Sequence, residues 1–276
     1  MRWKVHVAYV NGEELLRNAV ASVQDMGAEH IHVWADSCPP KTPPFVEGAI
    51  VHACPPLSRA TAQNTMFHSS WNDDVCFYMH HDGRAKPGVA KKFLEFTEAA
   101  FRSGEKWGLA YTFYDVLCAF NMKAVREVGF WDDAFYHYVI DNDYYRRLRL
   151  AGYKELEFGE EGVEHVGSAT VGTDPLFKYR VDFMHDSDRA YYIKKWGGKH
   201  ADLFRRQARE ANPTSAGQER FLIPFQDFVE KPVRRAPGVA PPRFIPVIGD
   251  PKVAGTDGRQ WPARLRGKVT TYGGRK

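Results

Sequence analysis

The residues able to do chemistry gather at a few points of the chain. Val75-Cys76-Phe77-Tyr78-Met79 is an unbroken apolar run of strand length that ends abruptly in His80-His81-Asp82-Gly83. In open α/β sheets ligands bind beyond the carboxyl ends of the parallel strands, so a carboxylate directly after such a run points into the ligand crevice. Hard divalent cations take oxygen ligands of this kind and keep positions for water and substrate phosphates. Asp82 is therefore read as a metal ligand, with a capped turn as the alternative. His80 and His81 either line the same pocket, offering a metal a ring nitrogen, or are hydrogen-bonded structural groups. His165, in Val163-Glu164-His165-Val166-Gly167-Ser168, is either a further metal or phosphate contact or a buried, satisfied histidine.

A second acidic point is Asp141-Asn142-Asp143, just ahead of an expected helix over 144–151 closed by Gly152. Asp141 or Asn142 can cap that helix, and acids in a first turn suit its dipole. At two-residue spacing the carboxylates diverge around the axis, so they do not form a paired acid and base by themselves. The following Arg146-Arg147-Leu148-Arg149 reads as a solvated helix face, with one arginine available to the acidic cluster.

The elements that must position these groups follow from periodicity. Residues 4–10 read as a buried strand, 13–26 as a helix with Leu15, Leu16, Ala19, Val20 and Val23 on one face and Gly27 stopping it, and 31–35 as a second strand. Such a βαβ unit belongs to a parallel sheet with a right-handed crossover. A third strand is expected at 49–53, helices at 60–70 and 89–103, and one strand region at 109–120. A short helix follows at 122–128, short strands at 156–158 and 162–166, and a helix at 186–196. Polar residues then close four strands: Asn11, Asp36-Ser37, His80-His81-Asp82 and Asn121. Each is also a turn former or helix cap by local hydrogen bonding.

The 276 residues, 43% of them hydrophobic, suit one large domain with an appendage, divided here into 1–211 and 212–276. The net charge of +4 is uneven: from Lys231 onward eleven basic residues face two acidic ones, so this stretch carries +9 and the remainder −5. The Pro/Gly/Arg composition after Asn212 points to an extended arm. No apolar run approaches the roughly 20 residues of a membrane-spanning helix, and the N-terminus lacks a signal-peptide core, so a cytoplasmic location is expected. Cys38, Cys54, Cys76 and Cys118 are scattered, without zinc-site or disulfide-framework spacing, and are read as reduced thiols.

Taken in order, these pieces resemble the GT-A glycosyltransferases, in particular the family 2 type that uses nucleotide-diphospho-sugars. Phe120 to Phe135, with Gly129-Phe130 and Trp131-Asp132-Asp133, is similar to the stretch preceding that family's acceptor site. Asp141-Asn142-Asp143 through Arg147 to Ala151-Gly152-Tyr153 is similar to its Glu-Asp-x-Asp motif and Ala-Gly-Tyr ending, with Ile140 where the first Glu usually stands. Glu164 to Ser168 and Tyr191 to Gly198 resemble downstream segments, so the resemblance spans about residues 4–200.

The resemblance implies a Rossmann-like GT-A fold, with a mostly parallel central sheet flanked by helices and the Pro/Gly/Arg-rich C-terminal arm appended. It implies that Ala8, Tyr9, Val10, Asn11, Asp36 and Asn64 contact the nucleotide, with His81 in the same wall. It also implies that Asp82 holds a Mn²⁺ or Mg²⁺ bridging the diphosphate and that Asp141 is the general base of an inverting transfer. The family's Asp-x-Asp is altered, since His80 replaces the first Asp; His80 and His165 then join Asp82 as metal ligands. The donor would be a nucleotide-sugar, a UDP-sugar first. The acceptor is open between a hydroxymethylated base in DNA, a protein and a glycan; the basic tail could equally wrap the chain's own acidic domain or a partner subunit, and a homo-oligomer is open. Two rival readings remain. One is a non-catalytic nucleotide-sugar or glycan binder. The other is a sugar-nucleotide nucleotidyltransferase, against which stands Asn11-Gly12-Glu13-Glu14-Leu15 where that family has a Gly-rich, arginine-containing loop.

Overall fold

The apolar periodicity of the first 35 residues becomes β1 (Trp3–Tyr9), α1 (Glu13–Ser22) and β2 (Ile31–Ala35), with β1 and β2 parallel. A computed structural model describes residues 1–196 apart from 28–29, 38–40, 113–114, 160 and 167–168. The expected C-terminal arm, the boundary at 211/212 and Cys38 lie outside the described residues. The chain continues through β3 (Ile50–Ala53), α2 (Arg59–Ser69), β4 (Val75–His80), β5 (Gly83–Ala85) and α3 (Val89–Ser103). Then come β6 (Trp107–Tyr111), β7 (Leu117–Asn121), α4 (Met122–Val128), α5 (Ile140–Leu150), β8 (Lys154–Glu157), β9 (Val163–His165), α6 (Ala169–Thr173) and α7 (Pro175–Trp196).

Seven strands form one sheet in the order β3-β2-β1-β4-β7-β6-β8, and only β7 runs against the rest. The expected α/β class, a mostly parallel sheet flanked by helices, is what is observed. The chain first builds outward from β1 to β3, then returns to lay β4 on the other side of β1. At such a reversal the adjoining loops diverge and leave a crevice at the strand ends. Alternation along β4 serves both layers: Val75, Phe77 and Met79 pack with Leu16, Val20 and Phe93, whereas Cys76 and Tyr78 pack with Phe67, Tyr144 and Tyr145. Burial on both faces explains why the run is continuously apolar. No described helix is long and apolar enough to cross a membrane.

Several expectations are corrected. The strand region at 109–120 is two antiparallel strands, β6 and β7, joined where Thr112 N donates to Leu117 O. Both halves are apolar, and the turn lacks glycine or proline; Asp115 supplies the left-handed residue, at φ 51°. Because β7 is reversed, Asn121 ends at the opposite edge of the sheet from Asp82, and its side chain caps α4 by accepting from Lys123 N. The helix expected at 186–196 starts earlier, at Pro175, where Asp174 accepts from the N–H groups of Leu176 and Phe177. Arg146 and Arg147 are buried rather than solvated. Arg147 Nε pairs with Asp143 at 3.0 Å, and Arg146 lies over the Trp196 ring while donating to Tyr192.

Candidate active site

β1 and β4 pair in parallel with Ala8 opposite His80, so residues 8–10 and 80–82 leave the sheet side by side at the reversal point. A cleft of about 370 Å³ opens there. Its walls include Ala8, Tyr9, Val10, Asp36, His80, His81, Asp82, Asp141 and His165 from the sequence reading. Asn11 and Asn64 are not among them. Asn11 Nδ2 donates to Thr170 O, and the buried Asn64 amide bridges both backbone groups of Trp131 (2.8 and 2.9 Å), which fastens α2 to the Trp131 segment.

His165 reaches Asp82 through a small second sheet. β5 and β9 are antiparallel with Gly83 opposite His165, and Val166 N donates to Asp82 O. Gly83 is required at this crossing, because a Cβ there would lie 2.4 Å from Val116 Cγ1. His165 Nε2 stands 3.3 Å and His80 Nδ1 3.8 Å from Asp82 Oδ1, and one ligand atom from each residue fits within a 4.8 Å span. Thr170 Oγ1 lies 2.8 Å from His81 Nε2 and donates to Asp82 Oδ2 at 3.2 Å, fixing the carboxylate from behind.

Electrostatics suit Asp82 and His80 to a cation, whereas His165 would have to give up a proton to bind one. Burial opposes the charge on Asp82, but the hydrogen bond from His165 and the neighbouring histidines outweigh it and hold the carboxyl well below the usual range. Burial, helped by the positive charge of Arg59, pushes His80 down to about 3, so its imidazole is neutral at physiological pH and able to ligate. The bond to Asp82 raises His165 against the effect of burial. His80 Nε2 is buried without a hydrogen-bond partner among the described residues. One carboxylate and two imidazoles fit Mn²⁺ better than Mg²⁺, which favours all-oxygen coordination.

Asp141 lines the same cleft, 3.5 Å from Arg59 Nη1. Arg59 opens α2 behind a capping box in which Ser58 and Thr61 exchange hydrogen bonds. Burial disfavours its charge, but Asp141 more than restores it and holds the guanidinium above its ordinary value. Neither Asp141 nor Asn142 caps α5. The helix begins four residues earlier than expected, at Ile140, and its cap is Val139 at φ 54°, an outlier for a β-branched residue. Strain of this kind concentrates at working sites, and Val139 lines the cleft.

Sequence reasoning missed four positioning groups. Arg59 carried no signal beyond its place at a helix start. Asp115 is buried in the turn between β6 and β7 and accepts from Tyr145 OH at 2.6 Å; burial, reinforced by the charge of Asp141, pushes it up to about 7. Asp188 on α7 accepts the N–H groups of Tyr136, His137 and Tyr138, each at 2.8 Å, and so shapes the cleft wall these residues form. Lys195 lies between two buried carboxylates, Asp132 at 2.8 Å and Asp143 at 2.7 Å, tying α7 to α5. Asp143, expected to support the helix start, thus serves as an internal anchor.

No protein-family model and no curated protein sequence matches the chain. Among solved structures it is similar to the mannosyltransferase PcManGT from Pyrobaculum calidifontis, in complex with GDP-Man and Mn²⁺, at 12% identity over 80% of this chain and 72% of that one (TM-score 0.47). It is similar to glucosyl-3-phosphoglycerate synthase from Mycobacterium tuberculosis, in complex with Mn²⁺, UDP and glucosyl-3-phosphoglycerate, at 13% identity over 68% and 79% (TM-score 0.45). A Bacillus anthracis protein described as a glucose-1-phosphate thymidylyltransferase is similar at 9% identity over 61% and 91% (TM-score 0.40).

Proposed function

We propose that the chain is a metal-assisted glycosyltransferase that moves a sugar from a nucleotide-diphospho-sugar to an acceptor hydroxyl with inversion. The observation that carries this reading is one cleft, at the β1/β4 reversal, lined both by His80, Asp82 and His165 and by the Asp141–Arg59 pair. His80, Asp82 and His165 would hold the cation, Mn²⁺ by their donor set. When bound it neutralises charge gathering on the departing nucleoside diphosphate. Residues 8–10 and Asp36 line the side that would receive the nucleoside, and Arg59 adds a fixed positive charge beside Asp141. Asp141 takes the proton from the acceptor hydroxyl as its oxygen forms a bond to the anomeric carbon. The bond from that carbon to the phosphate oxygen breaks on the opposite face, which inverts the configuration.

The test is a panel of UDP-, GDP- and TDP-sugars, each with and without Mn²⁺, read as released nucleoside diphosphate and, separately, as donor binding. Metal-dependent release from at least one donor is expected. Binding without release under any metal would leave a binder in place of an enzyme, and neither binding nor release would end the reading.

A further inference from the structure

Among the described residues, α7 packs on the rest of the protein with one side. Val181, Asp188 and Lys195, spaced by seven residues, are buried. The opposite side of the helix carries Leu176, Tyr179, Phe183 and Ile193, exposed by 59, 65, 68 and 42%, together with exposed Ala190. Half of the exposed large hydrophobic side chains among the described residues lie on this one helix line. Scattered exposed apolar residues are ordinary, whereas a contiguous line of them marks an interaction surface. Their spacing is three and four residues in alternation, with Asp186 at the remaining position, which is the a/d repeat of a coiled-coil seam. Over residues 176–193 the seam runs about 26 Å at 1.5 Å per residue.

We infer that this seam pairs α7 with α7 of a second copy of the chain, antiparallel about a twofold axis. Charge selects both the partner and the direction. Antiparallel packing layers Leu176 on Ile193, Tyr179 on Ala190 and Phe183 on Asp186 of the second copy. It also brings Asp182 beside Arg189 of the second copy, twice by symmetry. A parallel pair would set Asp186 against Asp186 and Arg189 against Lys194, like charges at both places. The single acid in the seam lowers stability but fixes register, and His185 Nδ1, 3.1 Å from Asp186 Oδ1, partners it. Because Arg189 also lines the cleft, the paired helices would run along its rim.

Sedimentation equilibrium of the full chain across micromolar concentrations tests this, with the expected particle at twice the 31.5 kDa chain mass. Phe183→Glu, at an exposed position, should leave the circular dichroism unchanged and weaken dimerisation by about 30-fold or more, as loss of a central interface anchor does. Asp182→Arg should weaken it too, and combining it with Arg189→Asp should restore part of the loss. A chain that stays monomeric at about 100 μM, whether residues beyond Trp196 or another molecule cover the seam, would overturn the inference. So would a dimer that Phe183→Glu leaves intact.

Discussion

Asp82 Oδ1 lies 3.3 Å from His165 Nε2 because Gly83 and His165 are paired across the β5–β9 ribbon. Distant parts of the sequence thereby supply one set of donors to the end of β4, and His80 completes it.

Asp82→Asn keeps the side-chain volume and removes the charge. Mn²⁺ affinity, measured by titration calorimetry or by electron paramagnetic resonance of free Mn²⁺, should fall by at least about 10–100-fold, and His165→Gln should act in the same direction. Unchanged affinity in both variants would place the metal elsewhere.

Asp141→Asn should leave donor binding within a few-fold of wild type and lower the rate of transfer by about 10²–10⁴. Single-turnover kinetics beside equilibrium donor binding separates the two effects. Undiminished turnover would remove Asp141 from the role of base.

Asp115 gives a pH dependence whose sign is set by burial. Its folded-state carboxyl is raised to about 7, so the neutral form is favoured in the fold. Its stabilising contribution is complete below the ordinary aspartate range and is lost as pH rises through about 7. Asp115→Asn preserves an acceptor for Tyr145 and abolishes the titration. The variant's Tm relative to wild type should therefore be higher at pH 8 than at pH 5, and an equal difference at both would show that Asp115 ionises normally.

Asp188→Ala leaves three backbone N–H groups without their acceptor at the cleft wall. A loss of roughly 3 kcal/mol or more in urea unfolding is expected, with faster hydrogen exchange at residues 136–138 and weaker donor binding. Unaltered exchange there would show that the wall is held by other contacts.

Much of this architecture was legible in the sequence because its signals are local. The apolar run ending in His80-His81-Asp82, the spacing of Leu16, Ala19 and Val20, and Gly152 after α5 each state a strand, a helix face or a stop within a few residues. The helix start at Ile140 and the division of 109–120 into two strands were not legible. The first rests on Val139 holding a left-handed conformation, the second on Asp115 doing the same, and neither residue type announces it. The buried arginines were misread for a related reason. Arg146 and Arg147 look solvated until Asp143, Tyr192 and Trp196 are brought around them by α7.

By itself the sequence determined that an apolar strand delivers a carboxylate, Asp82, to the end of a parallel sheet, because backbone periodicity and burial on both faces dictate that outcome locally. Only the tertiary structure decided which groups meet it. His165 arrives through a ribbon, Arg59 and Asp141 reach the same cleft through helices on one face, and Asp188, on the last described helix, holds the cleft wall at residues 136–138. Asn64 and Asn121, equally polar on paper, are spent on Trp131 and on capping α4. The physical reason is that a polar side chain's role depends on which partner desolvates and satisfies it, and long-range packing chooses that partner.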